Sequence, residues 1–314
     1  HVTYVPAAVR TGRCEIRTGC FATQILTENT HGARRVRAVR YRDAAGKVYE
    51  QDAVVVVLAG GAVETPRLWL ASELPSMPAV GRGLTTHWFE YVTGIFEDDV
   101  GPDLGQTSMA RADFPGYGFL QPQGAGPMQL ALLGYGGAWA DPTPPGSWFT
   151  RGRVAGPALK RRMEAYRNTM MIACSVDDDA SAESSVTLAP DLADEHNAAP
   201  HVRYRPTAQT IERREWLVRK AADVMLAAGA RPESIHRADA PPSTIHQMGT
   251  MRMGRSPDDS VVDDAGEAHL VDGLFVADAS ILANGLGGVN PTLTIQAVAT
   301  RTAVKIAERH FAGV

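Results

Sequence analysis

The chain has 314 residues, with 31 Lys and Arg against 35 Asp and Glu and a formal charge of −4 at neutral pH. That balance argues against a nucleic-acid surface as the main partner, and the length suffices for two domains or one large one. Three cysteines form neither a CxxC pair nor a disulfide framework, and no apolar run reaches the ~18 residues of a membrane span, so a reduced, cytoplasmic chain is expected.

Along residues 1–58, short polar and apolar pieces alternate. Segments 14–17 and 23–26 read as strands, and 34–41 acquires a period of two. Asp43-Ala44-Ala45-Gly46 is a hairpin turn leading back into Val48-Tyr49. Val54 to Leu58 is a continuous, mostly β-branched run, the mark of a strand buried on both faces of a parallel sheet. It enters Ala59-Gly60-Gly61-Ala62 and a helix over 63–72. Strand, glycine turn and helix make a crossover that can lay backbone against a cofactor.

From about residue 88 to 240 the composition shifts towards Gly, Pro and aromatics. Strands are expected at 92–96, 170–176 and 201–204, and the long stretch between the first two, including 141–146, reads as an irregular lid or cap. Residues 211–228 form an amphipathic helix with Leu217, Ala221, Val224 and Ala228 on one stripe and Gly229 as its stop. Lys160-Arg161-Arg162, with Arg151 and Arg153, reads as a solvated face. Asp177-Asp178-Asp179 lacks the alternation and glycine of a Ca²⁺ loop and reads as a solvated turn, so no metal site is expected. Pro241-Pro242 marks the end of this region.

The last quarter carries two motifs. The first is Thr244-Ile245-His246-Gln247-Met248-Gly249-Thr250-Met251-Arg252-Met253-Gly254. A neutral imidazole suits taking a proton from a hydroxyl near neutral pH, although a histidine beside Ile245 and Met248 is more often a core or surface residue than a base. The second motif begins with a strand over 274–277 and passes Asp278-Ala279-Ser280 and Gly285-Leu286-Gly287-Gly288 to Asn290-Pro291-Thr292. Asn then Pro reads as N-cap and first helical residue, opening a helix to about residue 309. Such a helix end suits a ligand edge that gathers negative charge, and it also serves as an ordinary cap.

Together the two motifs resemble the C-terminal signature of the glucose-methanol-choline (GMC) flavoprotein oxidoreductases, with an HxxGTxxMG-like and a DAS…NPTLT-like segment. Ala59 to Leu70 is similar to that family's AAGAxxSPxLLL element, and Val80 to His87 to its VGxNLxDH, where His87 is a structural partner and not a catalyst. The resemblance implies an α/β fold of mixed character: an FAD-binding Rossmann-like domain lacking its N-terminal βαβ unit, with an inserted antiparallel-sheet substrate domain. Residues 1–87 and 241–314 would form the FAD-binding part and 88–240 the substrate part. It further implies that His246 and Asn290 handle the substrate hydroxyl. Ala22, Gly60, Gly61, Ala62, Asp278, Ala279, Asn290, Pro291 and Thr292 would meet the FAD. The substrate would be an alcohol, sugar or polyol, and the electron acceptor O₂, a quinone or a redox protein. No GxGxxG phosphate loop stands between a strand and a helix here. That half is expected on a missing N-terminal portion or on a partner subunit, in which case this chain alone is half of an FAD cleft.

Overall fold

The structure, a computed structural model, describes residues 3–30, 32–105, 108, 110–124, 126–136, 150–151, 154–194, 197–238 and 246–312. Residues 141–146 of the expected lid and Pro241-Pro242 lie outside the described residues. After a short helix α1 (Tyr4–Arg10), strands β1 (Cys20–Thr30), β2 (Ala33–Asp43) and β3 (Val48–Asp52) form an antiparallel meander. The β2–β3 turn falls where expected: Asp43 Oδ1 accepts from the backbone N–H groups of Ala45 and Lys47, each at 2.9 Å. Gly46 takes φ of +81°, which costs glycine little. Segment 14–17 is no strand; every residue in it is exposed, so it has no apolar face to bury.

The next strand is shorter than expected: β4 covers Val56–Leu58 and leads into α2 (Gly61–Leu70). It is also not buried on both faces. Val56 and Leu58 are buried, but Val57 is 44% exposed and Val54 54%. Inside α2, Pro66 has no N–H to give the carbonyl four residues back. That carbonyl, of Ala62, instead accepts from Thr250 Oγ1 at 2.8 Å, which fastens the helix to the His246 motif.

A second layer follows, from β5 (Trp88–Ile95), β6 (Ala112–Phe114), β7 (Gly118–Gln123), α3 (Pro127–Gly136), β8 (Thr150–Arg151), α4 (Gly156–Glu164) and β9 (Thr169–Val176). The described part of the stretch between β5 and β9 is therefore not the irregular one expected: β6, β7 and β8 join the sheet. The hairpin β10 (Ser185–Asp194) and β11 (Asn197–Arg203) and the helix α5 (Ala208–Ala227) come next. The chain closes with β12 (His236–Ala238), β13 (Leu274–Val276) and α6 (Thr292–His310). The larger sheet has the order β6-β7-β9-β5-β12-β8, antiparallel except for the β12–β8 pair. One face packs Trp88, Val92, Leu120, Ile172 and Val176 on α5. The α5 stripe is rotated from the expected one: Leu217, Val218, Ala221, Ala222 and Met225 are buried, whereas Val224 is 46% exposed and Ala228 is exposed. Arg162 of α4 is likewise not on a solvated face; it donates to Thr93 Oγ1 and to the Ser234 carbonyl.

Strands β4 and β13 pair in parallel, Leu274 with Val56 and Val276 with Leu58. Around them sits another core, which includes Trp69, Met251, Val262, Leu274 and Ile281.

Candidate active site

Backbone register brings two histidines together. Thr85 and Met248 exchange N–H···O bonds of 3.0 Å in each direction, an antiparallel bridge. Two residues onward on one strand and two back on the other, His87 and His246 therefore face each other. Their Nδ1 atoms are 3.0 Å apart and the rings meet edge-on. His87 Nε2 donates to the Gly285 carbonyl at 2.7 Å. One buried side chain thus joins the His246 motif to the glycine loop before Asn290. Phe89, two residues beyond His87 on β5, sets its ring 5.8 Å from that of His246.

Burial pushes the pKa of His87 down to about 4 and holds that of half-buried His246 below its ordinary value. Both imidazoles are neutral at pH 7, the state in which a histidine can accept a proton.

The glycine loop is fixed from below. Gly287 N–H donates to Asp177 Oδ1 at 3.0 Å, and Ser175 Oγ donates to the Gly288 carbonyl at 2.7 Å. Asp178 accepts from Thr86 N–H, Thr210 Oγ1 and Tyr204 OH. The triple-aspartate run is therefore not a solvated turn: Asp177 holds the glycine loop, and Asp178, 2% exposed, ties Thr86 and Tyr204 to the start of α5. Among the described residues no group of three metal-ligating side chains occurs. Only the order of contacts in space reveals this brace; the three adjacent carboxylates alone look like surface.

Asn290 is exposed, and its side chain makes no hydrogen bond among the described residues. It is not the helix cap. Pro291 holds that position in helical conformation, and α6 begins at Thr292, one residue later than the Asn-Pro pair predicts. The Asn290 amide is left open to a ligand, while Pro291 is buried and Thr292 exposed.

Of the residues expected to meet FAD, Ala22 and Gly60 line one cleft of about 280 Å³, with Phe21, Thr23, Val57 and Thr65. Its walls are mostly apolar side chain and backbone. The one guanidinium there, Arg67, is held by Glu64, Asp194 and the Ala198 carbonyl. This lining fits the flat ring end of a dinucleotide, and among the described residues its guanidinium is already engaged rather than held out to phosphates. Asp278 is engaged: Oδ2 accepts from Gly61 N–H at 2.9 Å and Thr65 Oγ1 at 2.6 Å, and Oδ1 from Ser280 N–H at 2.8 Å. It ties the end of β13 to the start of α2, where the backbone of Gly60 and Gly61 turns. Ala62 is buried and Ala279 half-buried in the same junction.

Two family models of the GMC oxidoreductases match this chain, the N-terminal one over residues 1–89 and the C-terminal one over 180–299. The chain belongs to the GMC oxidoreductase family. Members of this family are FAD-dependent enzymes that act on CH–OH groups. The chain is 28% identical to 6'''-hydroxyparomomycin C oxidase of Streptomyces lividus, over 93% of itself and 51% of that protein. It is 29% identical to 2-methyl-1,2-propanediol dehydrogenase of Mycolicibacterium austroafricanum, over 98% of itself and 56% of that protein. The fold matches that of pyridoxine 4-oxidase from Mesorbium loti with a TM-score of 0.65 at 20% identity, over 93% of this chain and 58% of the other. The chain therefore spans about half the length of the curated relatives it matches. The mixed α/β architecture with an antiparallel sheet agrees with the expected fold class. No described helix is long and apolar enough to cross a membrane.

Proposed function

We propose that the assembled protein oxidises a hydroxyl-bearing carbon of a sugar, glycoside or polyol, with His246 as the base and Asn290 as a hydrogen-bonding partner of the substrate oxygen. The observation that carries this is the His87 link, which binds the His246 motif and the Asn290 loop into one neutral, half-buried centre. Bound FAD would supply the hydride acceptor, N5 of its flavin ring. His246 takes the hydroxyl proton as the adjacent carbon loses hydride, and Asn290 fixes the pose of the oxygen. Phe89 supplies an apolar wall beside the imidazole. Ordering of reactants of this kind is worth roughly 7–11 kcal/mol of a barrier. The names of the two curated relatives, an oxidase of a hydroxy compound and a dehydrogenase of a diol, support the substrate class.

We assign residues 1–87 and 241–314 to the cofactor side and 88–240 to the substrate side. Ala22, Gly60, Gly61 and Ala62 would hold the FAD through backbone and small side chains, with Ala279, Pro291 and Thr292 along the same seam. Asp278 would act there by shaping the Gly60-Gly61 turn. The acceptor of the electrons is O₂, a quinone or a redox protein, and we favour a dehydrogenase or a slow oxidase. Comparing peroxide yield with dye reduction under air decides this, and stoichiometric peroxide at full turnover overturns it.

His246→Ala tests the base. It should slow substrate-dependent bleaching of the FAD absorbance by at least ~10²-fold while FAD stays bound. Bleaching at the wild-type rate rules the assignment out.

A second reading rests on the free edge of β4. Among the described residues β4 pairs only with β13, and Val57 and Leu293 are left 44% and 79% exposed. In that reading this chain is a non-catalytic fragment or subunit that supplies half of an FAD cleft to a partner carrying the GxGxxG half.

A further inference from the structure

The hydrogen bonds of His87 determine more than its own position. A carbonyl oxygen only accepts, so the 2.7 Å contact with the Gly285 carbonyl places a proton on His87 Nε2. His87 is fully buried, and burial keeps it uncharged at neutral pH. A neutral imidazole protonated at Nε2 has a bare lone pair at Nδ1. That lone pair lies 3.0 Å from His246 Nδ1, and two bare nitrogens form no hydrogen bond. The proton between them therefore belongs to His246.

We propose that His87 is a positioning residue that holds His246 as its Nδ1–H tautomer, which makes His246 Nε2 the nitrogen that takes the substrate proton. The proposal rests on the reading of His246 as the base and adds which of its nitrogens acts. In the proton step the substrate O–H bond breaks and a His246 Nε2–H bond forms. The Nδ1–H···Nδ1 bond persists throughout, and it strengthens as its donor becomes charged. Nothing is relayed onward. Moving the shared proton onto His87 Nδ1 would leave His246 neutral and put the positive charge on the fully buried ring, where burial disfavours it. The pair takes up one proton and keeps it on His246. Thr85 and Met248 set the register, Gly285 sets the tautomer of His87, and His87 sets that of His246. This is the carboxylate-free counterpart of a triad, with a backbone carbonyl in the orienting role.

The test uses the FAD-loaded full-length protein labelled with ¹⁵N-histidine. Long-range ¹H–¹⁵N correlation reads the tautomer of each ring, with His246 assigned by the signals lost in His246→Asn. A protonated Nδ1 and bare Nε2 on His246 are expected. His87→Leu, which removes the acceptor, should release His246 to the other tautomer or a mixture and slow bleaching of bound FAD by about 10-fold or more. His87→Gln, whose amide can both accept and donate, should recover most of that loss. A bare Nδ1 on His246 in the wild type overturns the proposal, and this measurement holds even if His87→Leu does not fold. So does a folded His87→Leu that keeps the Nδ1–H tautomer and the wild-type rate. If His246→Ala itself bleaches at the wild-type rate, the base assignment fails, and the wild-type tautomer still judges His87 separately.

Discussion

Asp178 accepts a 2.9 Å hydrogen bond from the backbone N–H of Thr86, the residue before His87, so a buried carboxyl on one side of the site holds the strand that carries a buried imidazole. The two groups respond to pH in opposite directions. Burial raises Asp178 from 3.8 to about 6, so the folded state holds more protons than the unfolded one between those values. Its contribution is therefore full below about pH 4 and lost as pH rises to 6. Burial lowers His87 from 6.5 to about 4, so its contribution is full above pH 6.5 and lost as pH falls to 4. Each effect is on the order of 3 kcal/mol, and across pH 4–6 they largely cancel. Asp178→Asn removes one of them. Thermal unfolding of wild type and variant should show a stability gap that widens by about 2 kcal/mol from pH 6 down to pH 4. Parallel curves would show that Asp178 does not titrate in this window.

Gly249 follows the Met248 bridge with φ of +91°, and a Cβ there would sit 2.3 Å from the Gly83 carbonyl oxygen. Backbone cannot yield to a clash of that size, so Gly249→Ala should separate the two strands that set the His87–His246 register. Loss of soluble protein, or destabilisation beyond ~3 kcal/mol, is expected. Gly287 is the control: its φ is +74°, but nothing lies within 4 Å of an added Cβ. Gly287→Ala should cost only about 1 kcal/mol of backbone strain. Equal melting temperatures for the two variants would refute the steric argument.

Asp278 and Thr65 are joined at 2.6 Å across the β13–α2 junction. Asp278→Ala leaves Gly61 N–H, Ser280 N–H and the Thr65 hydroxyl without their acceptor, at about 1–3 kcal/mol for each buried group that water does not reach. Thr65→Val removes one donor and should cost less. A double-mutant cycle on unfolding free energy should give a coupling of about 1 kcal/mol or more. Additive effects would mean that the bond contributes nothing measurable. FAD affinity should fall in Asp278→Ala, because the Gly60-Gly61 turn loses its anchor.

Residues 1–314 produced alone should be colourless or insoluble, since among the described residues β4 pairs only with β13 and Val57 and Leu293 are exposed. FAD binding should appear only when a GxGxxG-bearing half is present, covalently or as a second chain. An absorbance spectrum with an intact-mass measurement checks this. A yellow, monodisperse preparation containing only these residues would show that the phosphate-binding half is dispensable.

Local chemistry made several elements legible in the sequence. The Asp43–Gly46 turn, the period of two before it, Gly229 as the stop of α5 and the run into α6 follow from propensities that neighbouring residues suffice to express. Where a prediction erred, a distant partner was responsible. The buried stripe of α5 is rotated because the sheet face of Trp88, Val92 and Ile172 selects which residues it receives. Asp178 reads as surface until Thr86, Thr210 and Tyr204 close around it from three separate segments.

The sequence by itself determined the family, the cofactor class and the identities of His246 and Asn290 as candidates, because motif spacing records which residue types must recur together. The tertiary structure alone decided that His87 touches His246, and through which nitrogen. That contact depends on the Thr85–Met248 register between segments 159 positions apart at the histidines, and on a carbonyl at Gly285 a further stretch along the chain. Hydrogen-bond direction and tautomer are properties of atoms in space, and no pattern of residue types encodes them.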